Sequence, residues 1–514
     1  MKILKTILTL AIIASVNYTY AQLSPEYYQD GVRFSQTNQG STSRIKAIGG
    51  AQTALGGDIS SIFGNPAGIG LFTKSEFSFT PGFNSNGVKS TFLGQTSTSS
   101  SDKMNINNAG VAWSLPVTKS KSASKTEGLL SFNFGIGYSR INDFNANQIY
   151  TGTNNNSSIA DRYAEFANEN YRGVPPFDLP AGSLEGNAYD TYLIGYDSVA
   201  KEYFPQSDLG GLQTKIVNSK GSQSEIDFTG AINISNKFYL GASIGFTNIN
   251  YSSEVIYNEK GGIIVDDLDF SAEGPYDYNY NRYYNTKASG INGKVGFIYR
   301  PIDYLRVGAS LQTPTWYTLD DDYIENMDVT IPGDNVTTDD NNFIFNYMLK
   351  TPAKYNFGIA LIDPKLGFIT GDVEFADFTG ITFNAGDNND AADHQQIQAN
   401  NSAVNSGLKS VINYRLGAEV KVSDILLRAG YNIQGNPFNE NKLYNNDLET
   451  LQRSSTKSYS AGLGYRVKSY YFDLTYQNIG FDSRSKLTDF YSNEDFATQK
   501  NTIDNVFLTM GVRF

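Results

Sequence analysis

The sequence predicts an all-β protein, an antiparallel transmembrane β-barrel, and three observations predict it: how the chain ends, how it begins, and a regular rhythm of short and long connections between strand-like segments. The chain closes on Val506-Phe507-Leu508-Thr509-Met510-Gly511-Val512-Arg513-Phe514. Val506, Leu508, Met510, Val512 and Phe514 share one face and Phe507, Thr509, Gly511 and Arg513 the other, so one face suits lipid and the other a wet lumen.

At the other end, Lys2 and Lys5 precede an apolar run from Ile7 to Val16, and Thr19-Tyr20-Ala21 places small residues before Gln22. That is the pattern of a cleavable export signal over residues 1–21. The run is shorter than the roughly 20 apolar residues a spanning helix needs, and nothing else in the chain matches it. A membrane location therefore has to be built from strands, which satisfy their backbone groups only in a closed sheet.

Composition agrees. Of 514 residues, 48 are Gly, 35 Tyr and 32 Phe, and the mean hydropathy is negative, as expected of short amphipathic strands with aromatic belts and long polar loops. Cysteine is absent, so an exported chain of this size must take its stability from a closed hydrogen-bonded sheet or a large core, and thiol catalysis and Cys-ligated metals are excluded. A net charge of −12 argues against nucleic acid, whose affinity is carried by Lys and Arg on phosphate.

Strand-like segments run over 75–84, 107–117, 128–142, 222–236, 237–254, 286–302, 304–317, 342–362, 366–378, 410–421, 424–436, 456–468, 469–482 and 502–514, fourteen in all. Tight connections such as Arg300-Pro301-Ile302-Asp303, Asp363-Pro364-Lys365, Val422-Ser423-Asp424 and Val467-Lys468-Ser469 alternate with long polar ones. Splitting 342–362 at Thr351-Pro352 gives fifteen strands and throws later short turns onto the long-loop side. One strand with a proline irregularity keeps the count even and both termini on the periplasmic side.

The alternation separates charges from apolar residues. Ile291, Val295, Phe297 and Tyr299 oppose Asn292, Lys294 and Arg300, while Leu305, Val307, Ala309 and Leu311 oppose Arg306. Ile412, Tyr414, Leu416, Ala418 and Val420 oppose Asn413, Arg415 and Glu419. A Lys or Arg facing lipid at the midplane costs roughly 2 to 4 kcal/mol, so the charged faces point into the lumen. Lys294, Arg306, Arg415 and Arg428 are thus candidate contacts for a carboxylate head group. Asp372, Glu374, Glu419 and Asp473 lie on equivalent faces, so a structural ion-pair ladder is the simpler reading of the same residues.

Three regions fall outside the rhythm. Residues 22–74 are rich in Gly and Ser, 143–221 form the longest loop with a short helix at Ile159 to Asn170, and 379–409 are rich in Asn, Asp and Ala and hold the only histidine, His394. No second globular domain is visible, so the barrel with its loops takes 75–514. Enzyme chemistry is disfavoured because it needs a Ser, His or carboxylate constellation on rigid strands, and His394 sits in a low-complexity loop. Nothing supports haem ligation by His394 or a Tyr, since lone loop residues rarely form an axial site. Asp320-Asp321-Asp322 and Asp339-Asp340 read as solvated acidic loops, because no EF-hand spacing surrounds them for calcium. No cofactor site is evident.

The most specific signal lies in Arg44-Ile45-Lys46-Ala47-Ile48-Gly49-Gly50-Ala51-Gln52-Thr53-Ala54-Leu55-Gly56-Gly57-Asp58, followed by Asn65-Pro66-Ala67-Gly68-Ile69-Gly70. Asn65-Pro66 sets a turn, and the glycines permit close backbone packing. Together with Leu311-Gln312-Thr313-Pro314-Thr315-Trp316-Tyr317, Lys350 to Gly358 and Gly371 to Phe378, these residues resemble the FadL family of outer-membrane transporters, which includes TodX-type channels.

The resemblance implies a fourteen-stranded barrel with residues 22–74 folded inside it as a hatch, gated around Asn65, Pro66, Ala67 and Gly68. It implies passive uptake of a hydrophobic compound, long-chain fatty acids foremost, captured among loops such as 143–221 by a monomer in the outer-membrane lipid. Phe514 resembles the signal read by the barrel assembly machinery. Barrels resembling this family also serve type IX secretion, binding protein cargo at their loops, and that is the alternative.

Overall fold

A computed structural model describes residues 27–37, 40–118, 126–266, 271–386, 390–439, 454–486 and 496–514. The expected signal peptide, 1–21, lies outside them. The sheet consists of β1 Glu76–Phe92, β2 Gln95–Pro116, β3 Leu129–Asp143, β4 Gly211–Ile234, β5 Phe238–Asp266, β6 Ser271–Ile302, β7 (Leu305–Gln312 continued by Trp316–Ile331), β8 (Asn341–Lys350 continued by Lys354–Asp363), β9 Gly367–Asp377, β10 Ser410–Val422, β11 Ile425–Gln434, β12 Thr456–Val467, β13 Tyr470–Lys486 and β14 Phe496–Arg513. Each strand pairs antiparallel with the next, and β14 returns to β1, closing a fourteen-stranded barrel. Ser75 and Phe514 exchange both backbone hydrogen bonds at the seam, at 3.1 and 2.9 Å.

The alternation has the expected direction. On β10, Ile412, Tyr414 and Leu416 are 47, 50 and 58% exposed, whereas Asn413, Arg415 and Glu419 are 8, 2 and 8% exposed. Val506, Leu508, Met510 and Phe514 likewise face out on the terminal strand. Aromatic residues mark both rims of this apolar band: Tyr304, Tyr470 and Phe514 near the short turns, Tyr414, Tyr459, Tyr476 and Trp316 toward the long connections. Among the described residues no helix is long and apolar enough to cross a membrane.

Thr351-Pro352 interrupts a single strand, as parity required, and it has company. Thr313-Pro314-Thr315 interrupts β7 alongside it, and the turn Phe378–Gly380 ends β9 before Thr382–Ala385 continues beside β8. Proline has no N–H to give the ladder, and threonine hydroxyls repair the gap. Thr313 Oγ1 accepts from Gly293 N at 3.0 Å, and Thr351 Oγ1 accepts from Thr315 N at 2.9 Å.

Three expectations need correction. Residues 85–106, read as a loop, complete a hairpin of β1 and β2 that turns at Leu93-Gly94. They are polar on both faces, so period-two hydrophobicity has nothing to register. Strands β4 to β7 also run far past their expected starts or ends, and Asp320-Asp321-Asp322 lies on β7 rather than in a loop.

The stretch 379–409 contains a helix of 17 residues, Ala391–Gly407, with His394 exposed on it. Asp390 caps it through Ala392 N and Asp393 N, and Ile397, Ala403 and Val404 bury against the aromatic cluster below. The helix at 159–170 forms as Ile159–Tyr171.

Candidate functional site

The lumen is occupied by residues 27–37 and 40–74. Helix α1, Tyr27–Ser35, buries Tyr27 against Phe345 (5.1 Å between ring centres) and Phe34 against Phe144 (5.8 Å). Helix α2, Ser43–Ala47, lies on the inner wall: Ser43 N donates to Thr509 Oγ1 at 2.7 Å, and Ser460 Oγ donates to Ala47 O at 3.0 Å. Asp58 caps the turn Ile59–Ile62 and accepts from Thr42 Oγ1 at 2.7 Å, tying the segment to itself.

Backbone meets wall where the wall has no side chain. A Cβ on Gly417 would stand 2.5 Å from Ile48 O, and one on Gly462 2.6 Å from Ala47 Cβ. Asn65 caps the turn Pro66–Leu71 through Ala67 N at 3.1 Å. Its Nδ2 donates to Thr53 O at 2.7 Å and toward Phe297 O and Ala309 O of β6 and β7. Asn65 and Pro66 press on Gly296 and Gly241, which leave room for them. Gly68 O accepts from Gly57 N at 2.9 Å, and a Cβ on Gly68 would meet Gly56 Cα at 2.9 Å.

Between this segment and strands β11 to β14 and β1 lies a cavity of about 310 Å³. Its wall is rich in carboxamides, among them Asn84, Asn432, Gln477, Gln499, Asn501 and Asn505. Three of them form a relay along the sheet: Asn105 donates to Asn84, Asn84 to Asn505 (2.7 Å), Asn505 to Gln477 (3.4 Å) and Gln477 to Ser458 (3.1 Å), while Asn501 donates to Ser483 at 2.9 Å and Gln499 to Gln148 at 3.1 Å. Lys46, on α2, also lines the cavity. It is 3% exposed, with its ammonium 4.7 Å from the centre of the Phe507 ring. Burial without a counter-charge lowers its pKa to about 8.

A closed fourteen-strand antiparallel barrel is a distinctive arrangement, and solved structures share this fold across their length. A FadL homologue of Pseudomonas aeruginosa superposes with a TM-score of 0.53 at 10% identity, covering 93% of this chain and 99% of that one. The P. putida toluene transporter TodX gives 0.51 at 12% identity over 93% and 99% of the two chains. The chain has the FadL-type barrel fold. The deltaS2 mutant of the TodX monoaromatic hydrocarbon channel gives 0.53 at 14% over the same shares. No protein-family profile matches the sequence, and no curated protein does.

In this FadL-type barrel the four lumenal cations of the sequence reading are all inward and already held. Lys294 bonds Glu225 and reaches Asp227 Oδ1 at 3.0 Å. Arg415 pairs with Glu374 at 2.8 Å, and Arg428 lies 2.6 Å from both Glu419 and Asp473. Arg306 donates to Leu55 O, and Arg44 of α2 reaches Glu419 at 3.4 Å. Asp372 bonds no arginine among the described residues; it accepts from Gln52 N and Thr53 N, each at 2.8 Å. Arg44 thus ties the segment to the ion-pair ladder, while Arg306 and Asp372 tie it directly to the wall.

Sequence reasoning misses Lys46 and the carboxamide wall. Gln499 and Asn501 precede the strand-like segment that starts at 502, Asn505 lies on its inward face, and amides on such a face leave no hydropathy signal that marks a site.

Proposed function

We propose that the chain is an outer-membrane channel of a Gram-negative cell, through which hydrophobic compounds pass down their gradient when residues 22–74 act as a hatch. Long-chain fatty acids are the first candidates. The observation that carries this reading is the filled lumen: a barrel with an apolar outer band that holds its own N-terminal segment against glycines of the wall is not built as an open pore. It needs a movable part. The wedge of Asn65, Pro66 and Ala67 is that part, because one side chain, Asn65, joins the segment to itself and to two strands. The likeness to solved transporters of toluene supports a hydrophobic cargo. Phe514, exposed on the outer face at the seam, suits a terminal signal for the barrel assembly machinery, and the closed barrel suits a monomer.

The test is uptake of labelled oleate by cells or vesicles carrying the protein, with an Asn65→Ala, Pro66→Ala variant alongside and mass spectrometry of small molecules extracted from the purified barrel. Co-purified fatty acid or hydrocarbon and altered uptake in the variant support the channel. One observation favours the alternative, a barrel for type IX secretion: Phe177 and Val199 stand 97 and 92% exposed on the longest loop, a surface suited to protein cargo. An empty barrel with unchanged oleate uptake that captures a secreted protein would replace the first reading with the second.

A further inference from the structure

The cavity sets apolar side chains, among them Val32, Phe144, Phe438, Ile479 and Ile503, beside its carboxamides and Lys46, so its lining is amphipathic and suits a hydrocarbon only in part. A purely apolar molecule there would strand the buried ammonium of Lys46 and the carboxamides around it, and a buried polar group left without a partner is destabilising. Two charged groups besides Lys46 line the cavity, and both have partners: Arg33 bonds Asp30, and Asp143 lies 2.7 Å from Arg140. Among the described residues, Lys46 is left as the one lining charge with no acidic neighbour within ion-pairing distance. The chain of amides supplies the rest of a recognition surface. Each carboxamide has two N–H groups and two acceptor sites on oxygen, so the bond to its neighbour in the relay leaves capacity to spare.

We propose that this cavity binds a small hydroxylated carboxylate, with Lys46 taking the carboxylate and the wall of Asn84, Asn432, Gln477, Asn501 and Asn505 taking the hydroxyls. A charge-assisted bond to a buried ammonium is stronger than its equivalent in water, while the relay holds the neutral donors and acceptors in place before the ligand arrives. At about 310 Å³ the cavity has room on the order of ten waters, at roughly 30 Å³ each, enough for a six-carbon sugar acid. Lys46 belongs to the same segment that would move in gating, so the bound anion would also hold α2 against the wall.

The experiment is isothermal titration calorimetry of the full chain in detergent with galacturonate, galactose and octanoate as probes, on the native protein and on Lys46→Met and Lys46→Arg. Galacturonate should bind at least tenfold more tightly than galactose or octanoate. Lys46→Met should weaken it at least tenfold, and Lys46→Arg should retain most of it. Heat-modifiable migration on gels checks that each variant is a folded barrel. No heat from galacturonate in the native protein, or equal affinity in a folded Lys46→Met barrel, would overturn the proposal. Lys46-dependent binding of octanoate without galacturonate would overturn it too, leaving Lys46 as the head-group cation of an amphiphile. The titration requires no transport and oleate uptake requires no galacturonate, so this proposal and the channel reading fail separately.

Discussion

Asp372 grips Thr53 twice: its Oδ2 accepts from the Thr53 backbone nitrogen and from the Thr53 hydroxyl, each at 2.8 Å. The same oxygen also takes Gln52 N at 2.8 Å, so one carboxylate of β9 holds a two-residue stretch of the lumenal segment.

Hydrogen bonds to a charged group contribute about 1.5 to 3 kcal/mol each, and Asp372→Ala removes all of those made by this oxygen. The barrel strands keep their ladders, so the loss should appear locally. Trypsin added to the detergent-solubilised variant should cut after Arg44 or Lys46 at least tenfold faster than in the native protein, while the barrel stays heat-modifiable. Unchanged cleavage would mean that the glycine contacts alone hold the segment.

Gly417→Val tests those contacts. The new Cβ would stand 2.5 Å from both Ile48 O and Ile48 Cβ, an overpacking that costs about 1 to 3 kcal/mol when neither side can yield. A chain lacking residues 22–74 has nothing there to collide with. The expected outcome is reduced stability in urea when the substitution is made in the full chain, and no change when it is made in the shortened one. An equal penalty in both would place the strain in the wall.

The Thr-Pro seam makes a separate prediction. Thr313→Val and Thr351→Val each take away the acceptor of a wall N–H, that of Gly293 and that of Thr315. An unsatisfied group costs about 1 to 3 kcal/mol, and more where lipid is the only alternative partner. Each variant should lower the temperature of the gel-mobility shift, with the double variant lower again. A shift confined to one of them would show that the other N–H finds a substitute.

Lys46 gives a pH dependence of known sign. Its folded-state pKa is depressed to about 8 by burial, below that of an unfolded lysine near 10.4. The unfolded chain therefore holds more protons between those values, and stability rises with pH across that window. Lys46→Met should abolish the rise and stabilise the barrel at pH 7 by on the order of 1 to 3 kcal/mol, measured by urea unfolding. Carboxylate affinity runs the other way, falling as the free protein loses its charge above about pH 8.

Much of the barrel is readable in the sequence because hydropathy and structure share a period of two wherever lipid meets one face. The outward Ile412, Tyr414 and Leu416 and the inward Arg415 declare themselves by contrast. Above the band that contrast ends: Ser85, Gly87 and Lys89 on β1 continue the ladder with no apolar face to announce it. The helix at Ala391–Gly407 is hidden for a related reason, since its few buried residues are scattered among Asn, Gln and Ser. Register places lumenal cations such as Arg428 correctly, but it cannot say that Glu419 and Asp473 lie within 2.6 Å of that guanidinium. The cavity needs three dimensions, because its wall comes from both ends of the chain.

The length of β6 has a consequence for where cargo is met. Its 32 residues amount to a contour of roughly 105 Å at about 3.3 Å each, and a tilt near 45° leaves a rise of about 75 Å. The hydrocarbon band around such barrels is only about 25 Å tall. The wall on that side is therefore a chimney standing well clear of the headgroups, and its mouth samples the surrounding fluid instead of the leaflet. A cargo of the proposed channel would reach that mouth by diffusion through water, so its dissolved concentration, rather than its partitioning into the membrane, would set how often the chimney is filled.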